Sequence, residues 1–242
     1  MNRDLNHKFY SSETTLDYYD KLAEIGLFKF EEKLINMFLS PNHNILDIGC
    51  GAGRVTLALH KKKYKVTGID YSAKMIELAK KRNINVFVND VTNLLFEDST
   101  FDSCIFSFNG LMLIEIYEKR EKAISEIRRV LKKHGIFIFT TPFLDDKIKT
   151  SYRSKKIDSY GIPLENMDFN QKLMLSDEIL DEDDIDYYIH VPLLEEIYTL
   201  LENYDFKILA QGKRLEDFEK EEFEDLLDNN YYWVVSNEKD WI

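Results

Sequence analysis

The chain has 242 residues, long enough to bury a sizeable core as one α/β domain. Its 44% hydrophobic and 31% charged content reads as soluble and globular, and the formal charge of −12 argues against a broad phosphate-binding face, although not against a local basic patch. Only Cys50 and Cys104 occur, which suggests neither a disulfide framework nor a metal–thiolate site. The first residues lack an apolar signal core, and no apolar run approaches about 18 residues, so a cytoplasmic location without membrane contact is expected. Residues 1–40 begin the chain with Leu22, Ile25, Phe28, Phe30, Leu34, Ile35, Phe38 and Leu39 at roughly helical spacing. Ser40-Pro41 ends this helical segment.

Next comes Asn44 to Arg54. Ile45, Leu46 and Ile48 form a short apolar strand, which breaks into Gly49, Gly51 and Gly53 before a helix-like run from Val55 to His60. Glycines let a backbone turn tightly and approach a ligand closely. A helix start aims free N–H groups and a partial positive charge at that ligand. Asp47 lies inside the apolar strand and needs partners, expected to be loop N–H groups or a cationic ligand. The pattern is G-x-G-x-G, because Arg54 stands where a dinucleotide fingerprint would place its third glycine. Leu46 to Gly53 matches L-D-x-G-C-G-x-G at every specified position and resembles motif I of class I S-adenosylmethionine (SAM) dependent methyltransferases.

That resemblance implies a doubly wound α/β fold with a seven-stranded, mostly parallel sheet whose last strand is antiparallel. It also implies SAM as cofactor, S-adenosylhomocysteine as product, and a SAM site including Asp47, Gly49, Cys50, Gly51 and Gly53. The leading segment, residues 1–41, becomes a helical cap over the cofactor, with Tyr10, Tyr18 and above all Tyr19 as candidates to face it. Lys65 to Ile69 reads as the second strand. Asp70 at its tip can accept hydrogen bonds from both hydroxyls of a ribose. Tyr71 and Met75 are placed to flank an adenine, and Ser72 to cap the next helix. Asn85 to Val88 is strand three. After it, the resemblance gives Asp90 the exocyclic amine of adenine and Val91 a ring nitrogen.

Strand four is expected at Ser103 to Phe108. Ligands of an open parallel sheet bind at the carboxyl ends of strands, so Ser107 and Asn109 should border the reacting centre. The loop lacks the Asn/Asp-Pro-Pro-Tyr/Phe motif of enzymes that methylate planar amino groups. Glu118 to Leu131 reads as an amphipathic helix. Arg128 to Gly135 resembles the family's R-V-L-K-P-G-G lead into strand five, with Lys133 and His134 in place of proline and the first glycine. Strand five is Ile136 to Thr140. Residues 143–190 form an insertion after it, with a basic stretch at Lys147 to Lys156 and an acidic one at Asp177 to Asp186, both read as solvated faces. In the family such an insertion commonly forms a lid. Ile185 to Val191 reads as an extra strand, and Leu193 to Leu201 as a helix. Asp205 to Ala210 and Tyr231 to Ser236 are strands six and seven, with an acidic helix, Glu216 to Asp228, between them.

The resulting expectation is a single methyltransferase domain over residues 1–242. Its parts are the cap, a SAM-binding half at 42–142, the insertion, and the C-terminal helix and strands at 191–242. It would move a methyl group to nitrogen or oxygen of a small-molecule acceptor. Methyl transfer from a sulfonium needs alignment more than acid catalysis, and orientation can supply roughly 7–11 kcal/mol. Tyr188 and His190, at the insertion's end, are the candidates for acceptor contact or general base. No metal site is expected, since Asp145-Asp146 has no further ligands in pattern. The alternatives are an RNA methyltransferase, which the net charge disfavours, and a SAM-binding sensor or partner without transfer activity.

Overall fold

The computed structural model describes residues 5–142, 177–182, 185–214 and 230–238. Helices α1 (Leu5–Phe9), α2 (Glu13–Leu22) and α3 (Lys29–Phe38) lead into β1 (Asn44–Ile48). Then follow α4 (Arg54–Lys61), β2 (Lys65–Asp70), α5 (Ala73–Lys80), β3 (Val86–Val88) and β4 (Phe101–Phe106). A 3-10 turn (Gly110–Leu113), α6 (Tyr117–Val130) and β5 (Leu131–Pro142) come next. The remaining described elements are β6 (Asp177–Glu182), β7 (Ile185–His190), α7 (Leu194–Asn203), β8 (Phe206–Lys213) and β9 (Asn230–Asn237).

Seven strands form one sheet in the order β3-β2-β1-β4-β5-β9-β8. Every pairing from β3 to β5 is parallel, whereas β9 runs antiparallel to both β5 and β8. The expected fold class is therefore the observed one. The order reverses between β1 and β4, and this switch point opens a crevice at the carboxyl ends of the strands.

Strand alternation sorts the core into two layers. Leu46, Ile48, Cys104, Phe106, Phe137, Phe139, Trp233 and Val235 face α6 and α7, whose Ile124, Ile127, Ile197 and Leu201 complete that layer. Ile45, Ile105, Ile138 and Val234 face the other way, onto Leu34, Ile35, Val55 and Leu59 of α3 and α4. A sheet covered on both faces explains the near-continuous apolar runs of its central strands.

The expected N-terminal helix is broken after Leu22. Gly26 has φ +85°, and Ile25 is exposed rather than part of the apolar stripe. β4 ends at Phe106 instead of Phe108, because Phe108 and Asn109 both adopt left-handed backbone (φ 57° and 59°) and turn the chain out of the sheet. β3 is one residue shorter than expected, and β5, β8 and β9 run longer. The acidic stretch from Asp177 forms β6, which pairs antiparallel with β7 in a separate two-stranded ribbon. The basic stretch at Lys147 to Lys156, Asp145-Asp146 and the acidic helix expected at Glu216 to Asp228 lie outside the described residues.

Candidate active site at the switch point

Three glycines build the loop after β1. Gly49, Gly51 and Gly53 all have positive φ, at 62°, 52° and 93°. A Cβ on Gly53 would also lie 2.5 Å from Ile84 Cδ1, so this helix cap requires glycine twice over. Gly51 differs, since a Cβ there would meet only Tyr19 Cδ1 at 3.8 Å, and its backbone borders open space. Asp70 ties that loop to β2. Its Oδ2 accepts the Gly51 N–H at 2.9 Å and its Oδ1 the Ser72 N–H at 2.8 Å. Burial raises the Asp70 carboxyl to about 6, partly offset by those two backbone N–H groups. A carboxylate has about four acceptor positions, so two remain for a ligand such as a vicinal diol.

A cavity of ≈ 460 Å³ opens above this loop, and Gly49, Gly51, Asp70, Tyr71, Met75, Asp90 and Val91 line it. Its volume lies within the range of ~300–1,000 Å³ usual for small-molecule sites. Ser107 and Tyr19 border it as well. At Asp90, both turn bonds from Thr92, backbone N–H and hydroxyl, land on Oδ1. Oδ2 takes no part in that turn.

Other expected site residues stand elsewhere. Asp47 does not border the cavity. It is 1% exposed, and instead of loop N–H groups it accepts the Thr56 hydroxyl at 2.5 Å. Burial lifts its carboxyl to about 7, while Thr56 and the nearby Arg54 pull the other way. Cys50 is packed beneath the loop with its thiol raised by burial. Gly53 serves α4 as its N-cap. Asn109 donates its N–H to Thr140 Oγ1 and its amide to Asn230 Oδ1, both at 2.9 Å, and so joins β4 to β5 and β9. Tyr18 faces solvent, whereas Tyr10 lines the cavity with Tyr19.

His190 and Tyr188 are the residues expected to meet an acceptor. Neither lines the cavity. His190 is fully buried and its Nε2 lies 2.8 Å from both Glu196 carboxylate oxygens. Tyr188 is 8% exposed, and its hydroxyl donates to the Glu115 carbonyl at 2.9 Å. Both support the wall from behind. Among the described residues, no cluster of His, Cys, Asp and Glu is arranged to hold a metal.

The structure adds residues that sequence reasoning missed. Asn6, His7, Leu113, Ile114, Glu115 and Lys119 also line the cavity. Arg54, notable in sequence only as the residue that breaks the dinucleotide pattern, is buried. It makes two 2.6 Å bonds to Glu31 and a 2.8 Å bond to the Gly26 carbonyl, with the Phe28 ring 4.2 Å from its guanidinium carbon. Glu31 also accepts the Phe28 N–H at 2.9 Å. This cluster fastens the N-terminal cap to α4. A lone charged residue inside an apolar helix start was the available signal for it.

Residues 45–135 match the family model described as a methyltransferase domain. Residues 45–135 form a methyltransferase domain. Enzymes of this family use SAM as methyl donor. A 139-residue stretch is 34% identical to an uncharacterised protein of Methanocaldococcus jannaschii, covering 54% of this chain and 52% of that protein. A 126-residue stretch is 33% identical to the demethylmenaquinone methyltransferase of Thermotoga maritima, covering 48% and 53%. The chain thus spans about half the length of these curated relatives. The crystal structure of a SAM-dependent methyltransferase from Methanosarcina mazei superposes with a TM-score of 0.68 over 89% of this chain and 100% of that one, at 21% identity.

Proposed function

We propose that this methyltransferase domain binds SAM in the switch-point cavity and transfers a methyl group to nitrogen or oxygen of a small-molecule acceptor. One observation carries the proposal. Asp70, at the tip of β2, clamps the glycine loop by the Gly51 N–H and still lines the cavity with acceptor capacity to spare. In this reading Asp70 takes the ribose hydroxyls, Asp90 the adenine amine, and Gly49 and Gly51 pass under the methionine portion. Met75 and Val91 supply apolar walls for the base, and Tyr71 covers its edge.

Bound SAM supplies an electrophilic methyl on a sulfonium, with a neutral thioether as leaving group. The protein's task is then to align the acceptor and keep water out. Tyr10, Tyr19 and Phe108 form the apolar roof for that task. The net charge of −12 favours a small molecule over RNA. No helix among the described residues is long and apolar enough to cross a membrane. Incubation with radiolabelled methyl-SAM and separate metabolite, RNA and protein pools tests the assignment. Label is expected in the metabolite pool. Label confined to RNA or protein, or none in any pool, contradicts it.

A further inference from the structure

The adenosyl reading uses one end of the cavity. The opposite end is built from the segment after β4, whose backbone is fixed bond by bond. The Leu113 carbonyl accepts from Asn6 Nδ2 at 2.9 Å, the Ile114 carbonyl from Arg120 Nη1 at 2.8 Å, and the Glu115 carbonyl from the Tyr188 hydroxyl at 2.9 Å. These successive carbonyls meet side chains from α1, α6 and β7. Asn6 binds Tyr188 in turn, donating to its carbonyl at 3.1 Å and accepting its N–H at 2.7 Å. Leu113, Ile114 and Glu115 all line the cavity. A backbone held this way fixes where its side chains emerge. Glu115 is the ionisable one among them.

Aromatic rings enclose the same space. Tyr10 lies 5.8 Å from Tyr19 and, edge-on, 6.5 Å from Tyr71, and Tyr19 lies 6.3 Å from Phe108. Burial, with the neighbouring Tyr19 and Tyr71, holds the Tyr10 phenol well above its ordinary value. Tyr71 is likewise raised, first by burial, then by the Asp70 and Glu115 carboxylates. These phenols stay neutral and present π-faces. The lining also carries Asp70, Asp90 and Glu115 against Lys119, with His7 the remaining basic side chain. An excess of carboxylate draws in cations. Neutral aromatic walls beside a carboxylate are the pairing that holds an organic ammonium.

We propose that the acceptor is a small organic cation whose ammonium end is an anchor, held between the Glu115 carboxylate and the rings of Tyr10, Tyr19 and Tyr71, while a separate neutral nitrogen or oxygen of the same molecule offers its lone pair to the methyl group and the thioether leaves. This rests on the methyltransferase reading and names the substrate class of the same site. A neutral phenol or quinol gains at most a hydrogen bond from Glu115 where an ammonium also gains charge pairing, and an anion is repelled by it.

The test is calorimetric titration of the protein loaded with S-adenosylhomocysteine. The probes are two pairs of equal shape, propylammonium with ethanol's homologue propanol, and phenethylammonium with phenylethanol. At least one ammonium is expected to bind about tenfold tighter than its alcohol. Glu115→Gln should erase that preference while S-adenosylhomocysteine affinity is kept, and Tyr10→Leu should reduce it. Equal binding within both pairs, no detectable ammonium binding, or a preference that survives Glu115→Gln overturns the proposal. Loss of S-adenosylhomocysteine binding in the unaltered protein would instead remove the methyltransferase reading itself.

Discussion

The two ends of the cavity are made by different means. The adenosyl end is local: a glycine loop, a carboxylate at the tip of β2, and a turn after β3, all within residues 49–91. The acceptor end is assembled from afar. Asn6 reaches Leu113 across 107 positions, and the Tyr188 hydroxyl reaches Glu115 across 73. Local construction needs only its own turn or strand end for each part. Distant construction depends on the cap, on α6 and on β7 docking together, which is where one methyltransferase can diverge from the next in what it accepts.

Breaking the Arg54–Glu31 clamp between the N-terminal cap and α4, which underlies both ends, should have the largest effect. Arg54→Ala leaves the Glu31 carboxylate buried without its partner, at a cost of about 3–5 kcal/mol. Denaturant unfolding measures this, and Arg54→Met with Glu31→Leu should recover much of the loss. The buried carboxyls of the local end give the next effect, one of pH. Asp47 titrates at about 7 in the folded chain, so the folded state holds a proton that the unfolded chain releases near its ordinary carboxylate value of 3.8. Its unfavourable contribution is therefore absent below that value and grows as pH rises toward 7. Asp47→Asn should flatten the fall in stability across that window, measured by thermal unfolding at stepped pH. Asp70 follows the same sign toward about 6. SAM affinity should rise as Asp70 ionises through that value, and Asp70→Asn should remove the slope. Smallest is Tyr188→Phe. It removes the hydroxyl's bond to the Glu115 carbonyl and the longer one it accepts from Arg120, about 1–2 kcal/mol of stability. It should leave SAM affinity unchanged while loosening amide protection at residues 110–115 in hydrogen exchange.

The same contrast explains what the sequence revealed. The glycine loop and Asp70 are legible from their place at a strand end, and Asp90 through the resemblance of the turn after strand three, because each needs only its own strand tip. The strands followed from apolar runs, and the antiparallel β9 from the family resemblance. Strand ends were less so: nothing in Ser107-Phe108 announces the left-handed backbone that ends β4 early. His190 and Tyr188 were assigned to the acceptor because they end the insertion, yet burial against Glu196 and Arg120 turns them into supports. Glu115 carries no such signal, since it lies beyond the turn after β4 and not at a strand tip. Its place depends on side chains from α1, α6 and β7, a juxtaposition that only the folded chain supplies.

The adenosyl cradle is tested most directly by titrating S-adenosylhomocysteine into the unaltered chain and into Asp70→Ala in parallel. One-to-one binding is expected in the first, weakened at least about tenfold in the second, because two charge-assisted bonds to the ribose are lost. Equal affinities in the two proteins, or no binding to either, would contradict the assignment of this cavity to the adenosyl group.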